Sequence, residues 1–146
     1  METKGGFYIT QIKQLQDRIF ERLLIENGLE ISSGQGRILF VLWKQDALTV
    51  GEISKQTSLA KNTVSATVDG MVNKGILQRE INPENRRETI ISLTDCAKTM
   101  RTKYAEVSDQ MNRLIYREIT KEEQKEFEGY LARIRDTLIQ VEKDMK

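Results

Sequence analysis

The residue types that carry enzyme chemistry are nearly missing from this 146-residue chain. It has no histidine and one cysteine, Cys96, which excludes Ser–His and Cys–His nucleophilic pairs, internal disulfides and thiolate metal clusters. No metal site and no cofactor is expected. The paired carboxylates Glu122 and Glu123 follow Thr120 in a helix-start pattern, and they read as capping and dipole residues rather than an acid and a base. What remains is hydrogen-bonding chemistry. At 100° per residue from Val64, the side chains of Asn62, Thr63, Ala66, Asp69 and Asn73 fall opposite the apolar positions, with Ser65 on the shoulder. Such short polar groups can approach base edges in a DNA major groove without obstruction. The alternative is a solvated surface helix, which would more typically carry Glu and Lys. A second cluster, Arg86-Arg87, lies beside a proline turn. It can enter a minor groove or clamp phosphates, or pair with Glu84 and Glu88.

Composition says what must hold these clusters. A hydrophobic fraction of 38%, a charged fraction of 31% and a single proline, Pro83, describe a mainly α, water-soluble chain. The longest apolar run, Ile38 to Trp43, is far too short to span a membrane. Three capping boxes, Ser32-x-x-Gln35, Thr49-x-x-Glu52 and Thr120-x-x-Glu123, predict helices beginning near 33, 50 and 121. Thr94-Asp95 predicts another. A first helix is expected over 7–27, closed by Asn27-Gly28. A second, over 33–45, is apolar around most of its circumference and should be central. A short helix over 49–57 turns at Ser58-Leu59 into a longer one over 60–74 with Val64, Val68, Met71 and Val72 inward. Strand-like stretches 76–81 and 88–93 flank the turn Asn82-Pro83-Glu84-Asn85. Two long helices are expected after residue 94.

The end helices carry heptad-like stripes. Ile12, Leu15, Ile19 and Leu23 mark the first; Ala97, Met100, Tyr104, Val107, Met111 and Leu114 mark the one after the strands; Phe127, Leu131, Ile134, Leu138 and Val141 mark the last. No helix can bury its own stripe, so they form either intrachain core or a homodimer interface; polar helices at both chain ends favour the dimer. The chain thus divides into N-terminal helices (7–48), a helix-turn-helix with a hairpin (49–93) and C-terminal helices (94–146), all within one domain over 1–146. The three segments 1–48, 49–93 and 94–146 carry six, six and eleven basic residues against six, five and eleven acidic ones. None is a basic block, so local arrangement decides.

Helix, turn, helix, strand, basic hairpin, strand is the order of a winged helix-turn-helix. With Leu48-Thr49-Val50-Gly51-Glu52-Ile53-Ser54, Asn62-Thr63-Val64-Ser65, Val68 to Leu77, and Asn82-Pro83-Glu84-Asn85-Arg86-Arg87 followed by Ile91-Ser92-Leu93-Thr94, the chain resembles the MarR family of bacterial transcription regulators along essentially its whole length. The resemblance implies a winged helix-turn-helix flanked by dimerisation helices. It also implies a homodimer reading a pseudo-palindrome in double-stranded DNA, most often a repressor released by a small ligand or an oxidant. Asn62, Thr63, Ser65 and Ala66 would face bases, and Lys61, Arg86 and Arg87 the backbone or minor groove. Two features depart from the family. Arginine usually stands where Ala66 and Gly70 are, and the wing usually has Asp-x-Arg where this chain has Asn85 before Arg86-Arg87. Weaker or differently specified DNA binding is the expectation.

Effector signals are sparse. Family resemblance places a ligand pocket where Trp43, Met100 and Tyr104 would meet; they are core fillers or contacts for an aromatic or lipophilic effector. Cys96, near a helix start, is an incidental small residue or a thiol with a lowered pKa. A non-enzymatic, cytoplasmic, DNA-binding regulator is the expected reading. The rival is a helical module whose winged lobe binds a protein, favoured by a near-neutral winged segment.

Overall fold

The computed structural model describes residues 2–145. Ten elements follow one another: α1 (Gly5–Glu26), α2 (Ser33–Lys44), β1 (Leu48–Thr49), α3 (Val50–Thr57), α4 (Lys61–Asn73), β2 (Leu77–Asn82), β3 (Asn85–Leu93), α5 (Asp95–Thr99), α6 (Arg101–Ile115) and α7 (Lys121–Asp144). The chain forms two compact units, Met1–Asp109 and Gln110–Lys146. All three capping boxes are made, with Ser32, Thr49 and Thr120 each accepting from the N3 amide and the N3 side chain returning to the cap. Thr94 caps α5 by accepting from the Ala97 amide. Gly28 closes α1 at φ +81° and Gly75 follows α4 at φ +76°, a region where a β-carbon would be strained.

In the first unit the core is built where five helices and a small sheet converge. Leu24 of α1, Ile38, Leu39 and Leu42 of α2, Ile53 of α3, Val64, Val68 and Met71 of α4, Leu77 and Ile91 of the sheet, and Val107 of α6 are all essentially inaccessible to water. Each such side chain stabilises the fold by about 1.5–3 kcal/mol relative to exposure. The sheet has three antiparallel strands in the order β1-β3-β2, with Leu48 opposite Ile91 and Leu77 opposite Leu93. The hairpin expected from sequence is therefore completed by a two-residue strand, Leu48–Thr49, which has no pattern long enough to read.

α2 is central as expected, with Ile38, Leu39, Val41 and Leu42 buried; Phe40 is exposed, its ring covered by the Lys44 ammonium 4.3 Å from the centroid, a cation–π arrangement that suits a solvent-facing aromatic. One expectation changes. The helix after the wing is broken. α5 stops at Thr99 and α6 starts at Arg101, although Met100 keeps right-handed backbone angles and its N–H still reaches Ala97 O. Three helices, not two, thus follow residue 94. α7 has no buried residue. Phe127, Leu131, Ile134, Leu138 and Val141 are all exposed along it. Within this second unit Tyr116 donates to Glu128 Oε2 at 2.7 Å and meets Phe127 edge-on at 6.4 Å.

Candidate nucleic-acid interface

α3 exists to hold α4. Its capping box fixes the start, with Thr49 N–H to Glu52 Oε1 at 3.0 Å and Glu52 N–H to Thr49 Oγ1 at 3.1 Å. Ser58 turns the chain in the left-handed region at φ +62°. The turn is then tied by Ser54 Oγ donating to Leu59 O at 2.6 Å and Leu59 N–H to Thr57 Oγ1 at 3.2 Å. These bonds set where α4 begins. Ala60 occupies its N-cap and no side chain caps it, so the first-turn amides are left for an outside acceptor such as a phosphate.

With Val64, Val68 and Met71 buried, the opposite face of α4 is fixed. Lys61, Asn62, Thr63, Ser65, Ala66, Asp69 and Asn73 are all exposed, as the helical spacing predicts. Among the described residues, the side chains of Asn62, Thr63, Ser65 and Asn73 make no hydrogen bond within the protein, whereas Thr67 one turn from Thr63 folds back onto its carbonyl at 2.8 Å. The unused donors and acceptors thus lie on one side. Asp69 differs: it forms an ion pair with Arg79 of β2. Sequence reasoning missed Arg79. The signal was the pleat, which puts Arg79 two residues from buried Leu77 on the sheet face that packs α4.

The wing carries the second cluster. Pro83 and Glu84 form the two central residues of the turn, and Glu84 N–H is held by Asn82 Oδ1 at 3.0 Å. Ile81 pairs with Thr89 while the next residue, Asn82, pairs with Asn85, so Arg86, Arg87 and Glu88 form an irregular bulge in β3. A bulge re-aims side chains that would otherwise alternate. Asn85 Oδ1 accepts from the Arg87 amide at 3.2 Å, and Glu88 accepts from Asn82 Nδ2 at 2.9 Å. Among the described residues neither Arg86 nor Arg87 has a carboxylate within ion-pair distance, so the pairing with Glu84 and Glu88 does not form. The base of the wing is anchored by Asp46 Oδ1 accepting from the Leu93 amide at 2.9 Å and by Thr94 Oγ1 donating to Gly75 O at 2.8 Å.

Trp43 and Tyr104 also come together, and Met100 is partly buried against the same core. Tyr104 meets Phe20 edge-on at 5.5 Å and Trp43 at 5.1 Å, and Trp43 Nε1 donates to Ala97 O at 3.0 Å. Burial pushes the Tyr104 phenol up to about 12, against the opposing charge of Arg37. Nearby, Asp17 joins Arg37 at 2.6 Å and Lys13 at 2.6 Å. Burial raises its carboxyl, but those two hydrogen bonds and charges together hold it below the usual range. Cys96 is exposed and unpaired. No group of three metal-ligating side chains occurs among the described residues, and no helix among them is long and apolar enough to cross a membrane.

Comparison with known proteins places this arrangement. The family model described as MarR family matches residues 31–89, the stretch from the end of the α1–α2 loop to the wing. An uncharacterised HTH-type transcriptional regulator of Bacillus subtilis, YwhA, is 20% identical over 87% of this chain and 86% of its own length. Further curated relatives are matched over only about half of their length. Among solved structures, a MarR transcriptional regulator from Methanosarcina mazei Go1 superposes with a TM-score of 0.83 at 16% identity, covering 97% of this chain and 94% of that one. A mutant MarR from E. coli complexed with operator DNA superposes with a TM-score of 0.81 at 22% identity, covering 88% and 91%.

Proposed function

We propose that this chain, a MarR-family protein through its residues 31–89, is a non-enzymatic cytoplasmic transcription regulator that binds operator DNA as a homodimer. The observation that carries the reading is the α4 face. Asn62, Thr63, Ser65 and Asn73 are exposed together with their hydrogen-bonding groups unspent, on a helix braced from behind by α3. A helix so presented suits the major groove, with Ala66 leaving room for close approach. Lys61 and the free Arg86 and Arg87 then meet the sugar-phosphate backbone or the minor groove. That a similar fold has been seen on operator DNA agrees with this.

The homodimer is supported by two unpartnered apolar stripes. Phe7, Ile12, Leu15 and Ile19 on α1, and Phe127, Leu131, Ile134 and Leu138 on α7, are exposed in the single chain. Two lobes joined through such helices would meet half-sites one helical turn apart. Repression would end when a small aromatic or lipophilic effector, bound against Trp43, Met100 and Tyr104, favoured another lobe spacing; DNA and effector must then weaken each other by the same factor.

The test is fluorescence anisotropy of the purified protein with a duplex from upstream of its own gene and a scrambled duplex, at two salt concentrations. A preference for the native duplex that weakens with salt is expected. Equal, feeble binding to that duplex and to a pool of random-centred duplexes would overturn the proposal.

A further inference from the structure

Resting on the reading of α4 as the base-reading helix, we infer that Asp69 is a specificity-determining residue, an acceptor held by Arg79 that selects an exocyclic amino group of cytosine or adenine. Asp69 stands three residues after Ala66, four before Asn73 and seven after Asn62, in the centre of the exposed stripe. A free carboxylate there would repel every phosphate near it. Arg79 removes that obstacle: its guanidinium contacts Asp69 Oδ1 and balances the charge, while the Asp69 side chain remains 61% exposed. Among the described residues the second oxygen of the carboxylate has no partner.

An ionised carboxylate accepts and never donates. In the major groove, cytosine N4 and adenine N6 are the donors, and the guanine O6 and thymine O4 that replace them are acceptors that the carboxylate repels. Its neighbours Asn62, Asn73, Thr63 and Ser65 can donate or accept and so tolerate either. Asp69 is therefore the one group on this face that only accepts, as Lys61 at the helix start only donates. Arg79 is a positioning residue: it projects from β2, so the tie also sets the carboxylate relative to the wing. The departures at Ala66 and Gly70 give Asp69 a larger share of the reading, since no arginine beside it seeks guanine.

The experiment is selection from duplexes with a randomised centre, using wild type, Asp69→Ala, Asp69→Asn and Arg79→Met, each checked by thermal melting. Wild type should enrich cytosine or adenine at one position in each half-site. Asp69→Ala should lose about tenfold of discrimination at that position alone, and Asp69→Asn, which adds a donor, should admit guanine or thymine there. Arg79→Met should blur the same position and weaken binding more as salt falls, when the unbalanced carboxylate is least screened. If Asp69→Ala and Asp69→Asn enrich the wild-type sequence unchanged, the inference is wrong while DNA reading by α4 stands. A uniform loss of affinity with the preference intact would make Asp69 a structural tie and equally overturn it. Failure of wild type to enrich any sequence would overturn both readings.

Discussion

Tyr104 lies over Gly36 so closely that a β-carbon on the glycine would stand 2.8 Å from Cε2 and 2.9 Å from the phenol oxygen. The ring cannot easily retreat, because Phe20 and Trp43 hold its other sides. Gly36 is thus what lets α2 and α6 approach around the aromatic cluster, and no alternative side chain fits without moving it. Gly36→Ala is expected to lower unfolding stability by about 1–3 kcal/mol through overpacking, despite alanine's better helix propensity. Urea unfolding of Gly36→Ala, alone and with Tyr104→Leu, measures this. The double variant should recover part of the loss, and strict additivity would show that the clash is not the cause.

The same ring sets an alkaline limit. An unfolded tyrosine titrates near 10.0, whereas burial pushes Tyr104 to about 12 in the fold. The folded state therefore holds the phenol proton that the unfolded chain releases. Stability from this group is complete below about pH 10 and falls as pH rises toward 12. Melting temperature should decline more steeply over that window in wild type than in Tyr104→Phe. A residual slope is expected from Tyr116, which burial and Glu128 also push up to about 12.

Much of this was legible before any coordinates. Capping boxes are local chemistry, so Thr49 and Glu52 announce α3 wherever the rest of the chain goes. The outward face of α4 follows from Val64, Val68 and Met71 by period alone. What sequence could not supply depended on contacts across the fold. Leu48–Thr49 becomes a strand only because Ile91 and Ile90 lie beside it. The break at Met100 leaves no proline or glycine to mark it. Arg79 reads as one more surface charge until β2 is laid against α4. Arg86 and Arg87 could have been tied to the glutamates around them, and only the bulge, with Asn82 occupying Glu88, leaves them free.

The exposed stripe on α7 gives a prediction about assembly. Ile134 and Leu138, with Tyr130, Arg133 and Thr137, line a surface groove, and burying them against a second copy is what the proposed dimer requires. Ile134→Glu with Leu138→Glu should leave the melting of a dilute sample cooperative but halve the mass measured by light scattering. Operator affinity should drop sharply, because one lobe then binds without the other. A double variant that keeps the wild-type mass would place the interface elsewhere.

Ala66 and Gly70, the two positions at which the family resemblance implies arginine, can each be given one. Ala66 is exposed, and at Gly70 a β-carbon would meet nothing nearer than Gln35 Nε2 at 4.0 Å, so a side chain can leave either position without a clash at its β-carbon. Gly70→Arg should also stabilise α4 by about 0.5–1 kcal/mol, because glycine in a helix interior forfeits that much. If the α4 face lies on DNA, each arginine adds one cation near the phosphates. The slope of log affinity against log salt should then steepen by about 0.9 per arginine that contacts a phosphate. Affinity at low salt should rise for all duplexes, while the selected sequence shifts only if an arginine reaches a guanine edge. Anisotropy titrations of Ala66→Arg and Gly70→Arg across four salt concentrations measure both. Unchanged slopes in both variants would mean that this face of α4 does not meet the phosphate backbone. The free arginines of the wing would then have to carry the contact without it.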